Sequence, residues 1–284
     1  MTDILHAEAS TKCQAACPMC SRNIFGQGQT VANQDLTLDA LLRADVDIEK
    51  LNKIFFCGNL GDPACSTEMF TLCQHIRQLN PSITLGMNTN GGIRKPTWWK
   101  TLASYYNQHL DYVVFSIDGL EDTNHIYRRN VMWSKVMENA QAFIDAGGSA
   151  HWDMLVFEHN KHQVDECMKL ADSMGFTWFR TKETTRWEDY PPEKVGIYPV
   201  STPPPLDYNG TVDCERDREN SLYLDAFGKL WPCCHMASAK PKDIKIQTSE
   251  ELLTSYKTFD FNICKIACGS RPKRSQWKKE IQLR

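Results

Sequence analysis

Three cysteines, Cys13, Cys17 and Cys20, stand as C-x3-C-x2-C within ASTKCQAACPMCSR, residues 9–22. Neither a helical nor a strand period turns thiols at this spacing onto one core face, whereas a loop wrapped around a small object gathers them. Soft thiolates select zinc, copper(I) or an iron–sulfur cluster. Zinc ordinarily completes a set of four thiolate or imidazole ligands from nearby sequence, but the next cysteine here is Cys57 and the next histidine His75. A cubane [4Fe–4S] cluster on three cysteines leaves one iron open to another ligand. The stretch therefore reads as a reaction centre.

The chain carries twelve cysteines and no secretory signal in Met1–Ala9, which points to metal or catalysis rather than disulfides. Five of them fall late, at Cys214, Cys233, Cys234, Cys264 and Cys268. The first pair reads C-x13-G-x4-C through Gly228, and the last closes as C-x3-C. Four thiolates around a hairpin suit structural zinc as well as a cluster. Adjacent thiols seldom ligate one cluster together, so one of Cys233 and Cys234 is expected to be free or substrate-facing. Cys73 and Cys167 sit in helical patterns and read as small core residues. Cys57 and Cys65 flank the loop after the second strand, as weak candidates for hydrogen-atom or proton transfer against simple burial. The eight histidines show no zinc-type spacing.

These residues need a scaffold, and the composition supplies one. At 284 residues, 42% hydrophobic and 24% charged, the chain is a globular protein with room for one large domain, or one of about 200 residues and a small one. A net charge of −3 argues neither for a nucleic-acid binder nor for a membrane-surface protein. No apolar run approaches the roughly 20 residues a bilayer span needs, and a cytoplasmic location is expected.

Strand-like runs at 4–9, 53–57, 83–88, 112–117, 152–157 and 176–180 alternate with helix-like stretches at 37–43, 67–79, 97–107, 133–146 and 165–174. Ser66 is a plausible N-cap, and Gly147, Gly148 and Gly175 act as stops. The strands read as apolar on both faces, as buried parallel strands are. This rhythm predicts an α/β chain of parallel units with right-handed crossovers, a partial (β/α)6 TIM-like barrel over residues 1–185. Such folds do chemistry at the carboxyl ends of the strands. Those ends carry the Cys13–Cys20 loop, Cys57–Pro63, Asn88–Gly92 and Ser116–Gly119, all rich in small and polar residues. Six prolines in residues 186–206 mark an extended linker. Residues 207–284 then form a small cysteine-bearing module with a hairpin turning at Ala226–Gly228 and a basic tail, 271–284, expected as a solvated helix or tail.

C-x3-C-x2-C after a first strand, followed in order by these strand ends, resembles the radical S-adenosylmethionine (SAM) superfamily over residues 4–180. The loop GNLGDP is similar to the family's Gly-Gly-Glu-Pro, with Asp62 in place of Glu and Asn59-Leu60 as an insertion-like variant. The resemblance implies that Gly58, Asn59, Gly61 and Asp62 serve the methionyl amino group, and Thr89 and Asn90 belong to a TNG-like turn. Ser116 and Asp118 match an S-x-D position used for ribose or carboxylate, and Met19 sits where backbone meets adenine. Arg128 offers a guanidinium for the SAM carboxylate.

The implied activity is reductive cleavage of SAM at the cluster to a 5′-deoxyadenosyl radical, with hydrogen abstraction from a substrate that is then oxidised or cross-linked. A reductase or flavodoxin-type donor would supply the electron. The late cysteines are similar to the SPASM and Twitch auxiliary-cluster modules. Five cysteines rather than seven imply the Twitch form, with a second [4Fe–4S] cluster on Cys214, Cys233, Cys264 and Cys268, and Cys234 as an alternative ligand. Asp153, Glu158, Arg180, Lys182 and Glu183 are candidate substrate contacts. With twelve residues ahead of Cys13, the expected substrate is a small molecule, or a peptide delivered by a separate partner. The alternative is a non-catalytic metal-binding protein with structural zinc or iron–sulfur sites; it accounts for the cysteines but not for the strand ends.

Overall fold

The apolar runs become six parallel strands: β1 (Ile4–Glu8), β2 (Lys53–Cys57), β3 (Thr84–Thr89), β4 (Tyr112–Ser116), β5 (Ala150–Leu155) and β6 (Trp178–Lys182), paired in chain order. The computed structural model describes residues 2–23, 25–27, 30–201, 212–239, 264, 268 and 277–284. Period-2 geometry sends alternate side chains to opposite faces. Leu5, Ile54, Phe56, Leu85, Met87, Phe115, Trp152 and Phe179 are buried on the helix-covered face. The other face differs from the expectation of strands apolar on both sides. It carries His6, Glu8, Lys53, Asp153 and Arg180, because the sheet curls around a lumen that must accept polar groups.

An aromatic row crosses this inner face. His6, Phe55, Tyr112, His151 and Trp178 meet ring to ring at centroid distances of 5.8, 6.2, 4.6 and 6.3 Å. The Lys53 ammonium lies 5.1 Å from both the Phe55 and Tyr112 rings, a cation–π arrangement. The rings fill the lower lumen and leave its carboxyl end to polar groups.

The crossover helices are α1 (Leu38–Arg43), α2 (Met69–Leu79), α3 (Pro96–Tyr105), α4 (Glu121–Tyr127), α5 (Trp133–Asp145) and α6 (Val164–Met174). Thr37 caps α1 by accepting from the Ala40 N–H at 3.1 Å, and Gly175 ends α6 at φ 95°. Ser66 does not cap α2 as expected. The chain first makes a 3-10 turn over Pro63–Cys65, capped by Asp62, and Glu68 holds the N-cap position, with Ser66 accepting from its N–H. The short α4 was not expected, because it lacks an apolar stripe. Cys73 and Cys167 are fully buried core residues.

The proline-rich stretch is not wholly extended. It holds a one-turn helix, α7 (Pro192–Val195), and Pro199 bridges to Phe157. After α8 (Glu215–Glu219), the expected hairpin forms as β7 (Ser221–Leu224) and β8 (Leu230–Trp231), followed by α9 (Cys234–Ala239). β7 pairs parallel with β1, so the hairpin extends the sheet. Over its last residues the tail is not a helix but a strand, with most of its side chains exposed as expected. Lys279–Gln282 form β9, antiparallel to β6, and the Leu283 N–H bonds to the Thr177 carbonyl at 3.0 Å. A charged edge strand of four residues gives no periodic signal, since half its faces meet water. The strand order β8-β7-β1-β2-β3-β4-β5-β6-β9 is an open, parallel-dominated α/β sheet, a partial barrel. Of the expected linker, 202–206 lie outside the described residues, as do 207–211, 240–263, 265–267 and 269–276 of the expected module. No helix among the described residues is long and apolar enough to cross a membrane.

Removing residues 277–284 should bare the β6 edge. We expect a loss of about 2–4 kcal/mol, from the ladder bonds and the packing they hold, read as a lower urea midpoint, together with self-association in size-exclusion chromatography.

Candidate active site

The cysteine loop leaves β1 and is pinned at both ends. Thr11 exchanges backbone and hydroxyl bonds with Ala32 and Gln34, and Arg22 Nε donates to the Thr11 carbonyl at 2.8 Å. Asp35 gathers Ser10 Oγ and Lys12 Nζ, each at 2.6 Å, with Thr67. Against the pull of burial, hydrogen bonds from Lys12, Ser10 and Thr67 hold its carboxyl below the ordinary value. From beyond the barrel, Arg186 Nη1 donates to the Met19 carbonyl at 2.8 Å. Cys17 is buried, and Cys13 and Cys20 are half-buried. Burial pushes the Cys17 thiol up to about 11, and burial with the nearby Asp62 charge pushes Cys13 higher still. Asn90 Nδ2 and the Ala15 N–H point at Cys13 Sγ from 3.5 and 3.4 Å.

Asp62 joins the second and third strand ends. Its buried carboxylate accepts from Thr89 Oγ1 at 2.9 and 3.1 Å, the Asn90 N–H at 2.8 Å, Asn90 Nδ2 at 2.6 Å and the Ala64 N–H at 3.0 Å. Burial raises its pKa, and these donors oppose the rise. Asn90 Oδ1 in turn accepts from Gln14 in the cysteine loop at 2.7 Å. Gly61 has to be glycine: a Cβ there would lie 2.0 Å from the Ser10 carbonyl oxygen.

At the fourth strand the two expected residues part. Ser116 lines the central cavity, whereas Asp118 is fully buried behind the wall, taking Arg128 Nε at 2.6 Å and the Leu155 N–H at 2.7 Å. Arg128 lines the cavity, and its charge opposes the burial that pushes the Cys17 thiol up. Sequence reasoning missed Glu8, hidden inside an apolar run. It is fully buried beneath the second-strand loop and accepts the N–H groups of Asn59, Leu60 and Gly61 at 3.2, 3.1 and 3.0 Å and Tyr223 OH at 2.5 Å. Burial lifts its carboxyl to about 7, although all four donors favour the ionised form. The available signal was an acid at the carboxyl end of a parallel strand.

A cavity of about 380 Å³ opens at these strand ends. Cys13, Cys17 and Cys20 form one side, and Gly58, Asn59, Gly61 and Asp62 the next. Thr89, Asn90, Ser116 and Arg128 continue the wall to Asp153, Lys182, Glu183 and Arg186. Asp153 is held by Arg180 Nε at 2.6 Å and Lys182 Nζ at 2.8 Å. Met19, Cys57, Cys65, Asp118 and Glu158 are outside this lining. Met19 and Cys65 are buried, Glu158 pairs with Lys161 at the surface, and Cys57 Sγ lies 4.0 Å from Glu8. Burial holds the Cys57 thiol well up and pushes Cys65 up to about 12.

A second cavity, about 120 Å³, is lined by all five late cysteines. Burial pushes the thiols of Cys233, Cys264 and Cys268 up, and neighbouring thiols, Cys214 among them, add to the rise. Cys234 lines the same cavity, and burial, then its neighbours Cys233, Glu215 and Glu8, push its thiol up to about 12. Among the described residues no three His, Cys, Asp or Glu side chains are drawn tightly around a single metal ion. A multi-iron cluster takes each thiolate on a different iron and needs a wider ring.

The sequence model of the Radical SAM superfamily matches residues 8–171, more than half of the chain. The chain belongs to the radical SAM superfamily. Among solved structures, this radical SAM chain resembles Streptococcus suis SuiB bound to S-adenosylmethionine, with a TM-score of 0.62 and 15% identity over 90% of this chain and 65% of that one. It also resembles native anSMEcpe with bound AdoMet, with a TM-score of 0.58 and 15% identity over 92% and 82%. At these identities the likeness is one of fold. The chain thus spans just under two thirds of the SuiB chain. No curated protein gives a match. Membership implies a [4Fe–4S] cluster and SAM, and the donor set fits them: three soft thiols on one wall of a cavity whose other walls include glycine backbone, hydroxyl, carboxamide, carboxylate and guanidinium groups.

Asp62→Ala should orphan several buried donors at once and cost about 3 kcal/mol, with Asp62→Asn costing about half; urea denaturation of the apoprotein measures both.

Proposed function

We propose that this protein is a radical SAM oxidoreductase or maturase-type enzyme with an auxiliary cluster, acting on a peptide. The observation that carries the reading is a single cavity bordered by the three clustered thiols and the ends of strands β2, β3 and β4. Cys13, Cys17 and Cys20 would hold the cluster, and SAM would occupy the adjoining space. When bound, the pair supplies hydrogen-atom abstraction by one-electron cleavage of the sulfonium bond.

The chain's own residues bind and orient. The Gly58–Gly61 loop meets the methionyl amino group, with Asp62 fixing it to Thr89 and Asn90. Arg128 takes the carboxylate and Ser116 the ribose. Asp118 is a positioning residue that aims Arg128, and the backbone near Met19 faces adenine. The charged wall of Asp153, Lys182, Glu183 and Arg186 receives substrate. Cys214, Cys233, Cys264 and Cys268 hold a second [4Fe–4S] cluster in a Twitch-like module, and Cys234 stands aside. The division into 1–185, 186–206 and 207–284 and a cytoplasmic location with a flavodoxin-type donor belong to the same reading. A peptide is favoured because SuiB is solved with its precursor peptide SuiA, and anSMEcpe with the Cp18Cys peptide.

Anaerobic reconstitution should give about eight irons per chain, two clusters of four, and reductant-dependent 5′-deoxyadenosine. Cys17→Ala should abolish cleavage and keep about four irons, and Cys214→Ala should retain cleavage and lose product. Tight zinc without iron, or no cleavage after full reconstitution, overturns the reading.

A further inference from the structure

The Glu8 carboxylate has roughly four acceptor sites, and all four are taken. Oε2 receives the Asn59 N–H and the Tyr223 hydroxyl, while Oε1 receives the N–H groups of Leu60 and Gly61. Charge-assisted bonds of this kind are among the stronger ones available to a protein, and a group buried this completely needs them. Their directional effect is larger than their number suggests. In a trans peptide the C=O and N–H of one unit point opposite ways. Three consecutive N–H groups drawn down onto Glu8 therefore turn the carbonyls of Gly58, Asn59 and Leu60 to the opposite side of the loop. Gly58 and Asn59 line the central cavity and Glu8 does not, so that side is the cavity side.

Two further bonds tie this arrangement to the late part of the chain. Tyr223, the fourth donor to Glu8, lies on β7. Asn59 Nδ2 donates to Ser238 Oγ at 2.8 Å and lies 3.4 Å from the Cys234 carbonyl oxygen, both on α9. The loop is thus gripped from beneath by β1 and from the side by the segment that carries the second set of cysteines.

We propose that Glu8 is a positioning residue for SAM: it moulds the 58–61 loop into a row of carbonyl acceptors for the methionyl ammonium, and docking of Tyr223 completes the mould. The inference rests on the radical SAM reading of the cavity and adds to it the carboxylate that sets the loop's polarity and the dependence of that setting on the C-terminal segment. Replacing one Glu8 oxygen by an amide NH2 would set a donor against the loop's N–H groups, and the loop would have to turn.

The test compares equilibrium binding of SAM and of 5′-methylthioadenosine, which lacks the amino acid moiety, to reconstituted wild-type protein and Glu8→Gln. We expect the variant to keep its iron, to lose SAM affinity tenfold or more, and to bind 5′-methylthioadenosine as wild type does. Equal losses for both ligands, or no loss for either, overturn the proposal, since a role in stability alone does not discriminate between them. If Glu8→Gln fails to fold, Tyr223→Phe carries the test. A selective SAM loss of about threefold supports the proposal, and an unchanged ratio overturns it. Wild-type protein without a preference for SAM overturns the underlying reading, and this inference with it.

Discussion

One buried carboxylate keeps three loops in register. Asp62 sits where the second strand ends, and its donors come from the third strand's turn and from its own 3-10 cap. Through Asn90 it reaches Gln14 and Cys13 in the cysteine loop. Burying a carboxylate is costly, and the set of donors, with the Arg128 charge nearby, opposes that cost. That requirement removes freedom from each loop. Gly61 must lie flat on the Ser10 carbonyl, Asn90 must face both ways, and the Asp62 N–H must meet Lys12 O, which it does at 2.9 Å.

The late part of the chain is built into the same architecture. Arg186 reaches the Met19 carbonyl, Tyr223 reaches Glu8, and Asn59 reaches α9. His235, at the start of α9, borders both cavities. The two groups of cysteines therefore sit on opposite sides of one short helix start, each with its own enclosure.

Much of this was legible in the sequence. The six strands and five of the crossover helices follow from apolar runs and amphipathic periods, and the cysteine spacing marked the site because no core explains it. Acids at strand ends are where the sequence is least informative. Glu8, Asp62 and Asp118 are all acids at strand ends, and sequence alone does not say which faces a ligand, which faces a loop and which faces an arginine. Asp118 lies behind the cavity wall and takes Arg128, whereas Glu8 was read as part of an apolar run and holds a loop. β9 escaped because KEIQ, half in water, has no pattern to detect, and α4 escaped because it buries Thr123, Asn124 and Tyr127 rather than an aliphatic stripe.

The hairpin beside β1 and the strand beside β6 also set an order of events during synthesis. The six βα units leave the ribosome first, with both flanks of their sheet bare. Tyr223 reaches Glu8 across 215 residues of chain, and Trp277 reaches Thr181 across 96. Closing contacts so far apart in sequence is slow. The half-barrel thus spends its early life as an intermediate with two sticky margins, a state prone to wrong pairing with other chains. Pairing of β9 with β6 is what covers the second of those margins.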